Sequence, residues 1–118
     1  MEFIEAPAFT RHLPSYLDDE QYRALQAMLM LNLEAGDVIQ GTGGFRKIRW
    51  MDTRRGKGKR GGLRVIYYHF AESEQIWLMT LYGKDEAENL TPRERRALKA
   101  AITNEKRVRA ARRSHRRR

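Results

Sequence analysis

Nine lysines and arginines fall between Arg46 and Arg64, against a single acid, Asp52. They alternate with strand-like runs and a glycine-studded loop, so cations are carried on rigid backbone while the glycines let a partner come close. Lys57, Lys59 and Arg60 lie in that loop and lead directly into Arg64. Arg64 stands within an otherwise apolar run, where a charge is costly unless it meets an open surface or a partner. A planar guanidinium there suits bidentate binding of a phosphate. Lysines crowded by like charge give up a proton more readily, and a neutral lysine can act as a base. This set therefore suits phosphate-ester chemistry: anchoring the phosphoryl oxygens, stabilising the charge that develops on them, and moving a proton nearby. Arg46 and Lys47, at the head of the same segment, add phosphate-binding charge.

Other readings compete for the same residues. Residues 56–62, GKGKRGG, superficially resemble a nucleotide-binding phosphate loop, but no Ser or Thr follows the lysines and a strand comes next. The magnesium-binding hydroxyl and the helix N-terminus of such a loop are both missing, and a flexible hairpin connection accounts for the glycines. For Arg64 the bland alternative is an ion pair with Glu72 or Glu74 across a hairpin. Tyr67 and Tyr68 alternate to opposite faces of a strand, so at most one reaches an open surface. Tyr82 is better placed, since it ends the last strand just before Gly83 and Lys84, where exposure is greater, and its ring suits stacking on an unpaired base. His69 is a lone strand histidine, which is more often packed than catalytic.

The charge is unevenly distributed. The chain carries +9 overall; residues 46–64 carry +8, nine basic against one acidic, and residues 106–118 carry another +8 with no acid, which leaves −7 on the rest. Two basic islands on an acidic body point to a polyanion met at two places, with salt-sensitive binding. A length of 118 residues suits one domain with one modest core. No apolar run reaches the roughly 18 residues of a membrane span, and no charged-then-apolar leader opens the chain. The expected location is the cytoplasm, with no membrane contact. The absence of cysteine excludes disulfides and thiolate zinc sites, and only His12, His69 and His115 offer imidazole, so neither a metal nor a cofactor is expected.

The elements that must position the basic set follow from periodicity and punctuation. Phe3 and Ile4 open a short strand, and a brief turn or helix over residues 9–13 is stopped by Pro14. Asp18 caps a helix with Gln21 three residues on, and Tyr22, Leu25, Met28 and Leu29 recur at helical spacing toward an end near Gly36. Residues 45–50, 63–70 and 76–81 read as strands, the first two joined by the long basic loop and the last two by a tight turn over residues 71–74. Thr91, Pro92 and Glu94 make a capped helix start that Leu98 and Ile102 continue. The order β-α-α-β-β-β-α predicts an α+β fold, a mainly antiparallel sheet with helices packed on one side and the other half of the sheet open. Residues 1–105 form the domain. Residues 106–118 form an arginine-rich tail too poor in apolar side chains to pack, either a frayed helical extension or a disordered segment.

In order and spacing, the segments GDVIQGTGGFRKIRW, GKGKRGGLRVIYY and LMTLYGKDE, followed by the capped helix, resemble the RelE superfamily of bacterial toxins and, within it, the HigB type. The resemblance spans most of residues 1–105 and leaves the tail aside. It implies a compact RelE-like fold and the toxin of a type II toxin-antitoxin pair, an endoribonuclease that enters the ribosomal A site of a bacterium, among mRNA and rRNA, and cuts the mRNA there. In such enzymes the 2′-hydroxyl attacks the adjacent phosphate without a metal, leaving a 2′,3′-cyclic phosphate and a 5′-hydroxyl. Carried over by motif, Lys57 or Lys59 is the base, Arg64 stabilises the transition-state anion, Arg60 binds the phosphate, and Tyr82 and Lys84 fall in the YGK segment. The chain departs from the family in two respects. RelE uses a tyrosine in its C-terminal region, yet none follows Tyr82 here; relatives of the YoeB kind use a Glu and His pair, yet no histidine lies near the end of the last strand. The identity of base and acid stays open. The resemblance also implies a cognate helix-turn-helix antitoxin, through which operator DNA is bound.

Two further functions fit part of this. A non-catalytic RNA- or ribosome-binding protein would be satisfied by basic strands, an open sheet and an arginine tail. A ParE-like toxin that inhibits DNA gyrase shares the superfamily but lacks the basic catalytic set, so the lysine loop argues for the nuclease.

Overall fold

The computed structural model describes residues 1–51, 62–84 and 89–116. The chain runs β1 (Glu2–Glu5), α1 (Pro7–Tyr16), α2 (Asp19–Leu31), β2 (Asp37–Val38), β3 (Arg46–Trp50), β4 (Leu63–Phe70), β5 (Gln75–Gly83) and α3 (Pro92–Arg116). The strands form one sheet in the order β1-β5-β4-β3-β2. β1 pairs in parallel with β5, and the other pairings are antiparallel. This is the expected α+β class, with the two-residue β2 added at one edge.

β4 is buried along nearly its whole length, and a strand apolar on both faces needs a layer on each. Leu63, Val65 and Tyr67 face Phe9 and Tyr16 of α1 and Leu25 and Leu29 of α2. Ile66 and Phe70 point the other way, onto Phe45 and onto Leu98 and Ile102 of α3. The first two helices cover one face as expected, whereas α3 lies against the opposite face and not beside them. Alternation along β4 explains the difference: Leu98 and Ile102 sit one turn apart on α3, and the apolar surface left to receive them is on the second face.

Local chemistry sets the element ends. Pro14 does not stop α1, which continues to Tyr16. So near the helix end a proline forfeits one hydrogen bond, and burial of Phe9 and Tyr16 offsets it. α2 opens with the predicted box: Gln21 N–H donates to the Asp18 carboxylate at 2.8 Å and Asp18 N–H to Gln21 Oε1 at 2.9 Å. It closes earlier than expected, at Asn32, whose N–H bonds the Met28 carbonyl and whose side-chain oxygen accepts from Glu34 N–H at 3.3 Å. Gly36 serves a different purpose. A Cβ there would lie 2.9 Å from the Lys47 carbonyl oxygen and 3.0 Å from the Tyr67 ring, and its N–H donates to the Tyr67 hydroxyl at 2.9 Å. Tyr67 donates onward to the Leu33 carbonyl at 3.1 Å, so one buried phenol pins the α2–β2 connection to the sheet.

α3 begins as predicted, with Thr91 N–H donating to Glu94 Oε1 at 2.8 Å and Glu94 N–H to Thr91 Oγ1 at 3.1 Å. It then runs unbroken past residue 105 to Arg116, so the first part of the arginine-rich segment is helical. No helix among the described residues is long and apolar enough to cross a membrane.

Candidate active site

β3 ends, β4 begins and β5 ends at one edge of the sheet, where the register sets Trp50, Leu63 and Gly83 side by side. Lys84 N–H extends the ladder by donating to the Gly62 carbonyl at 3.2 Å. Both flanks of the basic loop are therefore at this end. Lys57, Lys59 and Arg60 themselves lie outside the described residues.

One step inward, Arg49, Arg64 and Tyr82 are direct cross-strand neighbours on three strands, and side chains directly opposite one another share a face. It is the face of α3. The next row on that face is Lys47, Ile66 and Thr80. Lys47 and Arg49 also border a groove of about 390 Å³ together with Asp37 and Val38. Lys84 is exposed just beyond the strand end. The structure thus brings Lys47, Arg64, Tyr82 and Lys84 to one region.

It does not bring Arg46 there. Arg46 opposes Tyr67 and so points to the other face, where its guanidinium donates to the carbonyls of Gly36 at 2.8 Å and Glu34 at 3.3 Å and lies 3.9 Å from the Glu34 carboxylate. Its charge holds the α2–β2 connection instead of facing the phosphate-handling row. The residue that sequence reasoning missed is Arg49, which is exposed. Period-two alternation within RKIRW already separates Lys47 and Arg49 from Arg46; only the pairing with β4 says which set belongs with Arg64.

Arg64 is 3% exposed, so in the free protein it does not face the open surface that its charge suggested. Nor can it reach the hairpin acids. Glu72 and Glu74 lie in the turn at the far end of β4, and Glu72 is 3.6 Å from Arg113. Tyr82 likewise departs from expectation, being half-buried, with a buried hydroxyl that has no hydrogen-bond partner among the described residues. It packs against the buried cluster that Ile66 and Phe45 form with Leu98 and Ile102 of α3. Burial raises its pKa above the usual 10.0, the Arg64 charge opposes that, and Glu94 adds to it. At neutral pH it holds its proton and can donate one. Arg95, on the same stripe of α3 as Leu98 and Ile102, also has a buried Nε without a partner among the described residues. A buried guanidinium, a neutral phenol and flanking cations can together hold a phosphate, stabilise added negative charge and supply a proton.

The architecture is that of an α+β protein with a RelE-like fold. No family model matches the chain. Among solved structures it is similar to the E. coli toxin RelE, in the free state of a mutant with two arginines replaced by alanine, with a TM-score of 0.50 and 16% identity over 74% of this chain and 86% of that one. At that identity the likeness is one of fold.

Proposed function

We propose that this chain is the endoribonuclease toxin of a type II toxin-antitoxin pair, of the HigB type, acting in the bacterial cytoplasm on mRNA in the ribosomal A site. The observation that carries this reading is the row Arg49, Arg64, Tyr82 at the sheet end from which the lysine loop leaves, in a fold shared with a known toxin.

The reaction needs no metal in this scheme. Lys57 or Lys59 takes the proton from the 2′-hydroxyl, the oxygen attacks the adjacent phosphorus, and the bond to the 5′-oxygen breaks. The leaving oxygen takes a proton from Tyr82, which, like any tyrosine, is neutral at physiological pH and which burial holds further toward its protonated form. Arg64 balances the charge of the phosphorane, and Arg60, Lys47, Arg49 and Lys84 hold neighbouring phosphates. Arg64 is 3% exposed, so in this scheme its contact with an RNA phosphate requires the sheet end to open. The partner that restrains it is a helix-turn-helix antitoxin, through which the pair binds operator DNA.

Mapping mRNA ends after brief expression in bacteria tests the reading. New 5′-hydroxyl ends within translated codons support it. Protected RNA without new ends would make the protein a non-catalytic binder, and DNA breaks with an SOS response would make it a gyrase-directed toxin.

A further inference from the structure

α3 does not cover all of the sheet face that it crosses. Toward the hairpin, Ile4, Trp77 and Tyr68 are direct cross-strand neighbours on β1, β5 and β4, and all three are only partly buried. This row and the C-terminal half of α3 border a groove of about 1020 Å³. Tyr68 is four strand residues from Arg64, about 13 Å at the usual rise, so the groove is separate from the candidate active site.

The groove has a cationic wall. The stripe of α3 that carries Leu98 and Ile102 over the sheet continues as Lys106, Arg109 and Arg113, turning from apolar to charged as it leaves the core. Arg109 anchors the arm: its guanidinium lies 3.7 Å over the Phe70 ring and bonds Gln75 Oε1 at 2.7 Å, Ser73 Oγ at 3.0 Å and the Glu105 carboxylate at 2.8 Å. Glu105 is thereby neutralised. Glu72 faces Arg113 at 3.6 Å with both side chains largely exposed, and such a pair is weak and exchanges readily for a phosphate. Lys106, 5.3 Å over the Tyr68 ring, together with Arg112 and Arg113, is left to meet an anion.

We propose that this groove is a second RNA site, which takes a short single-stranded segment with its bases on the Trp77 and Tyr68 platform and its phosphates on Lys106, Arg112 and Arg113. Flat aromatic faces on a sheet beside a track of cations are what an unpaired strand requires. A duplex has its bases already stacked and gains nothing from the platform, and an acidic peptide would use the wall alone. The site does not depend on cleavage elsewhere.

The test uses the full chain carrying Trp50→Phe, which leaves Trp77 as the sole tryptophan, titrated with a short 2′-O-methyl RNA that 2′-hydroxyl attack cannot cut. Quenching of Trp77 fluorescence is expected. The Arg112→Glu/Arg113→Glu variant, altered at exposed helix positions, should bind at least about fivefold more weakly, with its salt slope flattened by about 1.4 for two lost phosphate contacts. Arg93→Glu/Arg96→Glu, exposed at the other end of the same helix, should change affinity by less than about twofold by comparison. Binding without Trp77 quenching, or equal loss in the two charge-reversal variants, would overturn the site. Displacement of the RNA by an oligoglutamate peptide that binds more tightly would also overturn it, in favour of an acidic polypeptide.

Discussion

Arg64 concentrates the functional reading in one side chain, and its burial makes the mutant outcome specific. Arg64→Ala should lower ribosome-dependent cleavage by about 100-fold or more, since removing one group that stabilises the transition-state anion typically costs that much. Arg64→Lys should not restore it, because a point charge lacks the planar fork. Single-turnover cleavage on programmed ribosomes decides this, and a near wild-type rate for Arg64→Ala would sink the assignment. For Tyr82 the relevant property is the proton. Tyr82→Phe should slow cleavage by about 100-fold or more as a lost general acid, whereas a purely structural phenol would leave the rate nearly unchanged.

The phenols also predict a pH limit on stability. Burial raises the pKa of Tyr22, Tyr67 and Tyr82 above 10.0 in the folded protein, and the Glu5 carboxylate that accepts the Tyr22 hydroxyl at 2.7 Å adds to that shift. Unfolded tyrosine titrates near 10. The folded state therefore binds these protons more tightly, their contribution is complete below pH 10, and it is lost as the pH rises from there toward the folded values. Urea midpoints should hold steady on this account up to about pH 9 and fall above pH 10, with a shallower fall in Tyr82→Phe.

At the scale of elements, the connection between α2 and β2 and the arm of α3 are held by small numbers of polar contacts. Tyr67→Phe leaves the Gly36 N–H without its partner and should cost about 1–3 kcal/mol. Gly36→Ala should cost a similar amount, about 1–3 kcal/mol, by forcing a methyl against the Lys47 carbonyl. Equilibrium urea unfolding measures both, and wild-type stability in either variant would show that the clip is dispensable. Arg109→Ala should fray the end of α3, seen as lost helical circular dichroism, since it removes the ring contact and three hydrogen bonds at once.

Those same elements show where the sequence was legible. Both helix caps, the strand runs and the hairpin turn were readable because each is written in a few adjacent residues: Asp18 with Gln21, Thr91 with Glu94, the turn after Phe70. Pro14 and Gly36 misled, because local propensity places a stop at each, whereas burial of Phe9 and Tyr16 overrides the first and close approach of Lys47 explains the second. The side on which α3 packs, the inward turn of Arg64 and the membership of Arg49 depend on strand register, which no local pattern encodes.

For the whole molecule, the two basic islands take different structural roles. The described part of one, Arg46, Lys47, Arg49 and Arg64, lies on β3 and β4, and the described part of the other extends α3 along the hairpin at the opposite end. Ribosome association should therefore be strongly salt-dependent. Deleting residues 109–118 should weaken it while cleavage at saturating ribosomes survives; sedimentation across a salt series measures the first, and identical curves for full-length and shortened protein would remove the arm from ribosome binding.

The parallel pairing of β1 with β5 has a kinetic consequence. Glu2 bonds Gln75 from 73 positions away, and α1 packs on β5 as well, so the face built by the first helices closes only when the last strand exists. Contacts this distant in sequence are slow to form and come after the local hairpin of β4 and β5. The face built by β1, α1 and α2 thus stays unsealed until β5 is in place.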